Sequence, residues 1–128
     1  MRRLAIRLAV SLAVAVAACG GTAGGVTTTP GVLSAGDPVR GLALFNGTCT
    51  ACHGPGGIGA AGLGKPLTTS SFAAGLTDAE LLAFLDIGRP ANDPLNTTGI
   101  AMPARGGNPA LSDADLMDVV AFVRTING

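Results

Sequence analysis

The segment "CTACH" (49–53) places two thiols and the chain's only imidazole within five residues. Three chemistries use such a cluster: a redox-active dithiol, a structural zinc site and covalent attachment of haem. A redox-active C-x-x-C motif is expected in a βαβ context, and the chain shows no alternating strand pattern. Structural zinc takes four ligands, whereas Cys49, Cys52 and His53 offer three at most, because no other histidine or cysteine follows them.

The order C-x-x-C-H is the signature of haem attachment. A two-residue spacer on a helical turn lets two thiols straddle the edge of a porphyrin and add to its two vinyl groups. The adjacent histidine then lies under the ring, where it can bind the iron. We therefore predict one covalent haem c bound through Cys49 and Cys52, with His53 as an iron ligand.

Helical segments on both sides of this motif must position it. Asp37-Pro38 predicts a helix start, because aspartate is a good N-cap and proline fits the first helical position. Thr77 with Glu80 predicts a capping box, and Ser112 predicts another N-cap. The predicted helices cover 38–48, 77–88 and 112–127, and irregular loops rich in Gly and Pro cover 53–64 and 89–111. The fold class is therefore all-α, a small domain over 37–128 of three to four helices and irregular loops wrapped around one haem.

Over about 90 residues, from residue 37 to its end, the chain resembles the class I c-type cytochromes, which carry one haem. Beside CTACH, the segment "IAMPARGG" (100–107) is similar to the loop that supplies the sixth iron ligand in that family. The segment "ALSDADLMDVVAFVRTI" (110–126) is similar to its C-terminal helix. The resemblance implies the cytochrome c fold and a role in electron transfer.

The resemblance also implies contacts around the haem. Gly41 and Phe45 match family positions that pack against the last helix, so we expect them to meet Val119 and Phe122. A metal-bound histidine usually donates its other ring N–H to a carbonyl. The family uses a proline carbonyl downstream of the motif, and Pro66 in "GLGKPL" is the best match in this chain.

The sixth ligand is expected to be a methionine, because a single histidine cannot supply both axial positions and Met/His ligation is typical of cytochromes c. Met1 leaves with the signal peptide described below, so Met102 and Met117 compete. Met117 lies away from the apolar stripe of the last helix and is predicted to be peripheral. Met102 lies in a loop able to fold over a haem face and is the predicted ligand. Arg89 is either a partner of a haem propionate or an ordinary solvated arginine.

The first 18 residues have the layout of a signal peptide, with arginines before an apolar run at 8–18. As a helix this run would reach about 16 Å, about half the hydrocarbon core of a bilayer, so no membrane span is predicted. The ending Val16-Ala17-Ala18-Cys19 resembles the lipobox of bacterial lipoproteins, which implies lipidation of Cys19. The alternative is ordinary cleavage near Ala17 or Ala18, which leaves a free thiol. A flexible linker rich in Gly and Thr is predicted to follow, so that 19–36 tether the domain.

Charge limits the partners of this chain. Without residues 1–18 the chain keeps five basic and eight acidic residues, a net charge of −3. Nucleic acid is therefore not an expected partner, because phosphate binding needs a basic patch. The segments expected beside the haem edge, 56–62 and 99–104, carry no charge. We expect a small apolar docking patch there, without a ring of lysines.

Together these features predict a one-electron carrier, not an enzyme. It would be a monohaem cytochrome in the cell envelope outside the cytoplasm, bound to a membrane through the lipid on Cys19. Redox proteins would be its partners, and no small-molecule substrate is expected. Two alternatives stay open: a haem-based ligand sensor with a displaceable sixth ligand, and a dedicated electron-transfer subunit of a larger oxidoreductase complex. A soluble periplasmic or secreted cytochrome is the alternative to the anchored form.

Overall fold

The computed structural model describes residues 35–128. The predicted signal peptide (1–18), the lipidation of Cys19 and nearly all of the linker (19–36) therefore lie outside the described residues.

Five helices and two single 3-10 turns make up the described domain. The helices are α1 Pro38–Thr48, α2 Thr50–His53, α3 Ser71–Gly75, α4 Asp78–Ile87 and α5 Asp113–Ile126, and the turns are Pro55–Gly57 and Ala104–Gly107. Within residues 35–128 no β-strand forms, and only two isolated bridges occur, Ala60 with Gly64 and Arg89 with Met102. The predicted all-α class is confirmed.

The long helices begin where their capping residues predict. The Asp37 side chain accepts hydrogen bonds from the backbone N–H groups of Val39 and Arg40, and a proline occupies the first turn of α1. Complete capping boxes open α4 at Thr77 and α5 at Ser112. These contacts satisfy N–H groups that have no partner inside a helix. The two capping boxes fix the first residues of α4 and α5, the helices that border the site.

Helices α1 and α5 pack closely against each other. Gly41 is buried, and a Cβ atom there would collide with the backbone carbonyl of Asp118. The absence of a side chain lets the two helices approach until the rings of Phe45 and Phe122 lie 5.1 Å apart, centroid to centroid. The predicted packing of Gly41 and Phe45 against the last helix is confirmed.

Met117 is a core residue, and the prediction that it is peripheral was wrong. Its side chain is only 6% exposed. The reason is that α5 is covered by α1 and also by α4, so all residues from 116 to 120 are buried. One of these is Asp118, whose carboxylate accepts hydrogen bonds from the backbone N–H of Asp37 and from the Arg40 guanidinium. The apolar stripe alone did not predict so wide a buried face.

Helix α3 was not predicted, and long-range contacts explain its presence. The Ser70 hydroxyl caps it by accepting from the Ala73 N–H at 3.1 Å. At its other end the Arg124 guanidinium donates to the carbonyls of Ala73 and Leu76 at 2.5 and 2.6 Å. A five-residue helix has little stability of its own. It depends on an arginine that lies about fifty positions later in the chain.

Candidate haem site

The two thiols and the imidazole are held at the junction of α1 and α2. The Cys49 N–H donates to the Phe45 carbonyl at 2.8 Å, and the His53 N–H donates to the Cys49 carbonyl at 2.9 Å. Cys49, Cys52 and His53 therefore share one helical turn, as the motif predicts. Both cysteines are free and half-buried.

The environment of the cysteines opposes a redox-active dithiol. Burial, together with the nearby Cys52, raises the pKa of the Cys49 thiol from 9.0 to about 11. Reactive dithiols need the opposite, a lowered pKa that supplies thiolate near neutral pH. Residues 35–128 contain no group of three or more His, Cys, Asp or Glu side chains placed to hold a metal ion.

The His53 ring is fixed by a carbonyl, but that of Lys65 and not the expected one of Pro66. The Nδ1 atom of His53 lies 2.9 Å from the Lys65 oxygen. The loop register explains the shift: the Leu67 N–H donates to the Gly57 carbonyl at 2.7 Å, which leaves the carbonyl before Pro66 facing the ring. This contact places the ring proton on Nδ1 and leaves Nε2 to bind iron.

Met102 is held by a backbone pairing with the end of α4. Its N–H donates to the Arg89 carbonyl and its carbonyl accepts from the Arg89 N–H, both at 2.8 Å. Gly88, with φ of 76°, precedes this pair, and a side chain there would collide with the Met102 carbonyl. The loop that carries Met102 is therefore held against the end of α4 by two backbone hydrogen bonds.

One cavity of about 380 Å³ brings these groups together. Its lining includes Cys49, Cys52, His53 and Met102, whereas Met117 does not reach it. The rest of the wall is mainly apolar, with core side chains such as Phe45, Leu81, Leu85, Val119 and Val123. Two thiols, an imidazole with a free Nε2 and a thioether around an apolar space match the needs of a covalently held haem.

Arg89 is not an ordinary solvated arginine, so that alternative is wrong. Its guanidinium carbon lies 4.5 Å from the centroid of the Phe72 ring and 4.9 Å from that of Phe84. The side chain is only 18% exposed and lines the cavity. Phe72 and Phe84 were not expected near the site, and the available signal was a lone arginine directly after the glycine that ends α4.

Exposed apolar side chains border the cavity. Leu63, Leu95 and Ile100 line it and are between 44% and 64% exposed. We call these three residues the apolar rim. Ile100 belongs to the uncharged segment 99–104 that was expected beside the haem edge, whereas Leu63 and Leu95 lie outside both expected segments.

Known proteins of similar sequence identify the family of this chain. The family model described as cytochrome c oxidase, cbb3-type, subunit III, matches residues 36–123. Cytochrome c-555 of Chlorobaculum thiosulfatiphilum is 31% identical over 88 residues, which make up 68% of this chain and 93% of that protein. The Cbb3-type cytochrome c oxidase subunit CcoP of Azospirillum brasilense is 33% identical over 89 residues, which are 68% of this chain but 30% of that subunit.

No solved structure matches the chain significantly. The family model spans well over half of the chain, and the alignment with cytochrome c-555 spans nearly all of that protein. The predictions of haem c and of an electron carrier in place of an enzyme are thereby confirmed. The chain belongs to the c-type cytochromes, electron-transfer proteins that carry covalently bound haem c.

Proposed function

We propose that one haem c is attached through Cys49 and Cys52 and that His53 and Met102 would bind its iron. The observation that supports this assignment is that all four residues line one mainly apolar cavity. In each attachment a cysteine S–H would add across one vinyl group. The sulfur would bond to one vinyl carbon and the thiol proton would go to the other, so the addition would need no external oxidant or reductant.

The bound haem supplies the one-electron chemistry, and the chain sets its properties. The Lys65 carbonyl holds the His53 ring and strengthens its donor nitrogen. The Met102 thioether is a neutral, soft ligand, and the apolar wall disfavours the extra positive charge of ferric iron. We therefore expect a positive reduction potential.

Substitution of Met102 tests the ligand assignment. Met102→Ala should abolish the weak long-wavelength absorption band of a methionine–Fe(III) bond and lower the reduction potential, because the soft thioether no longer stabilises ferrous iron. Absorption spectra of the oxidised protein and a redox titration measure both quantities.

Met117→Leu is the matched control, because it removes the only other described thioether with little change of core volume. It should leave the band and the potential unchanged. Loss of the band in Met117→Leu and its retention in Met102→Ala would contradict the assignment. Carbon monoxide binding by the native ferrous protein would favour the ligand-sensor alternative.

Haem attachment is tested separately. The protein, made with a haem-attachment system, should keep its haem-peroxidase stain on a denaturing gel, because thioether bonds survive denaturation. The double variant Cys49→Ser, Cys52→Ser should lose the stain. A wild-type chain that releases its haem on the gel would contradict covalent attachment.

We also propose that lipid on Cys19 tethers the domain to a membrane of the cell envelope. The lipobox-like ending before Cys19 supports this placement. In residues 35–128, no helix is long and apolar enough to cross a membrane. Cys19→Ser should block lipoprotein processing and abolish labelling with a radioactive fatty acid. Release of wild type and variant alike by salt alone would instead indicate an ordinary secreted cytochrome.

A second candidate function is that of an electron-transfer subunit of a terminal oxidase or another oxidoreductase complex. The description of the matching family and the CcoP relative support it. A tagged form of the protein, purified from membranes in mild detergent, should then bring with it other subunits and oxidase activity. Recovery of the cytochrome alone would favour a mobile carrier.

A further inference from the structure

Arg105 lies three residues after Met102 in an unusual backbone conformation. Its φ is 53°, and it is the single non-glycine residue with positive φ among residues 35–128. Gly106 and Gly107, which follow it, also have positive φ. Side chains are disfavoured in this region, and such residues persist only where surrounding contacts hold them.

The guanidinium of Arg105 supplies such contacts. It pairs with Asp86 in the last turn of α4 and with Asp113, the first residue of α5, at 2.7 Å. It also donates to the carbonyl of Leu111 at 2.5 Å. The side chain is 24% exposed. One arginine therefore joins the loop to two helices that border the cavity, and charge-assisted hydrogen bonds of this kind are stronger than neutral ones.

The turn that carries Arg105 also lies close to the end of α1 and to the first cysteine of the motif. A Cβ atom at Gly106 would lie 2.8 Å from the Thr48 Cγ2 atom and 3.9 Å from the Cys49 Sγ atom. Upstream, Met102 is paired with Arg89 through its backbone. The loop is thus fixed at Met102 itself by the backbone bridge to Arg89, and three residues later by the side chain of Arg105.

We propose that Arg105 is a positioning residue that clamps the Met102 loop to α4 and α5 and keeps the Met102 thioether at the cavity. This proposal rests on the assignment of Met102 as the sixth ligand. A small external ligand binds the iron only when the thioether is displaced. Its apparent affinity is therefore the intrinsic affinity multiplied by the fraction of molecules in which the thioether is displaced.

Titration of the ferric holoprotein with imidazole tests the clamp. Arg105→Gly removes the guanidinium. Because glycine adopts positive φ without steric cost, the change does not strain the backbone. We expect imidazole to bind about tenfold more tightly or better, because the displaced state becomes more populated. The double variant Asp86→Asn, Asp113→Asn, which keeps Arg105 but removes both of its carboxylate partners, should shift the affinity in the same direction.

Arg40→Gln is the matched control. Arg40 also pairs with two carboxylates, those of Asp115 and Asp118, but it does not line the cavity. This variant should lower the urea midpoint of unfolding and leave the imidazole affinity unchanged. An equal rise of affinity in Arg40→Gln and Arg105→Gly would mean general destabilisation and would overturn the clamp.

Two further outcomes separate the clamp from the ligand assignment. If Met102→Ala loses the methionine–Fe(III) band while Arg105→Gly binds imidazole as the wild type does, the clamp is overturned and the ligand assignment stands. If the band survives Met102→Ala, the ligand assignment is overturned and the clamp with it.

Discussion

At Gly41 a single hydrogen atom decides how closely α1 and α5 pack. Gly41→Ala should destabilise the protein by about 1–3 kcal/mol, because the new methyl group meets the rigid backbone carbonyl of Asp118. Gly47→Ala is the control in the same helix, since a Cβ there meets nothing within 4 Å. It should stabilise α1 by about 0.5–1 kcal/mol. Urea unfolding of the holoprotein measures both, and equal midpoints for the two variants would contradict the packing argument.

Single residues also show what the sequence can predict. Gly41 and Phe45 were predictable, because their spacing before the motif matches a known packing pair. The partner of His53 was missed by one residue, since the loop register depends on the hydrogen bond from Leu67 to Gly57. The role of Arg105 was not predictable, because its partners belong to two separate helices.

At the scale of elements, two capping boxes make stability depend on pH. Hydrogen bonds from Thr77 lower the pKa of Glu80 below its usual 4.5, and those from Ser112 lower the pKa of Asp115 below its usual 3.8. A carboxylate whose pKa is lowered by folding stabilises the native state above its unfolded pKa. That contribution is lost as the pH falls through the lower folded value. The free energy of unfolding should therefore decrease below about pH 4.5.

Removal of one capping hydroxyl tests this dependence. Ser112→Ala should cost about 0.5–2 kcal/mol at neutral pH, and the difference from wild type should shrink as Asp115 becomes protonated. Thr69→Ala, at an exposed threonine, should have little effect at any pH. A difference between wild type and Ser112→Ala that grows toward acid would contradict the capping argument.

The helices differ in whether local or long-range contacts stabilise them. Helices α1, α4 and α5 were predictable because their caps and apolar spacing are local in sequence. Helix α3 was not, because Arg124 of α5 holds its carbonyls. The burial of Met117 was missed for a similar reason. Both α1 and α4 cover α5, and the residue pattern within α5 does not indicate that two helices pack on it.

At the scale of the whole domain, most charged side chains of residues 35–128 are engaged in contacts within the domain. The four arginines of the described region bind carboxylates, carbonyls or aromatic rings, as shown for Arg40, Arg89, Arg105 and Arg124. The apolar rim beside the cavity carries no charge. The rate of electron transfer to the native partner should therefore depend weakly on salt, because steering needs unpaired charge near the contact.

Stopped-flow kinetics at increasing ionic strength check this expectation. A tenfold fall in rate between about 0.01 and 0.15 M, where the screening length drops from about 30 to 8 Å, would contradict it. Leu95→Ser, within the apolar rim, should slow the reaction at all salt concentrations. Val39→Ser, at a valine that is even more exposed than Leu95 but does not line the cavity, should leave the rate unchanged.

Lys65 provides one defined site for chemical labelling of the protein. It is the only lysine of the chain, it is exposed, and its own carbonyl holds the His53 ring. Amine-directed reagents therefore meet a single side-chain target, on the same residue as the carbonyl that orients the proposed iron ligand. A fluorophore coupled there would report oxidation and reduction by quenching. A surface linker coupled there would attach every molecule to an electrode in the same orientation, without any substitution in the protein.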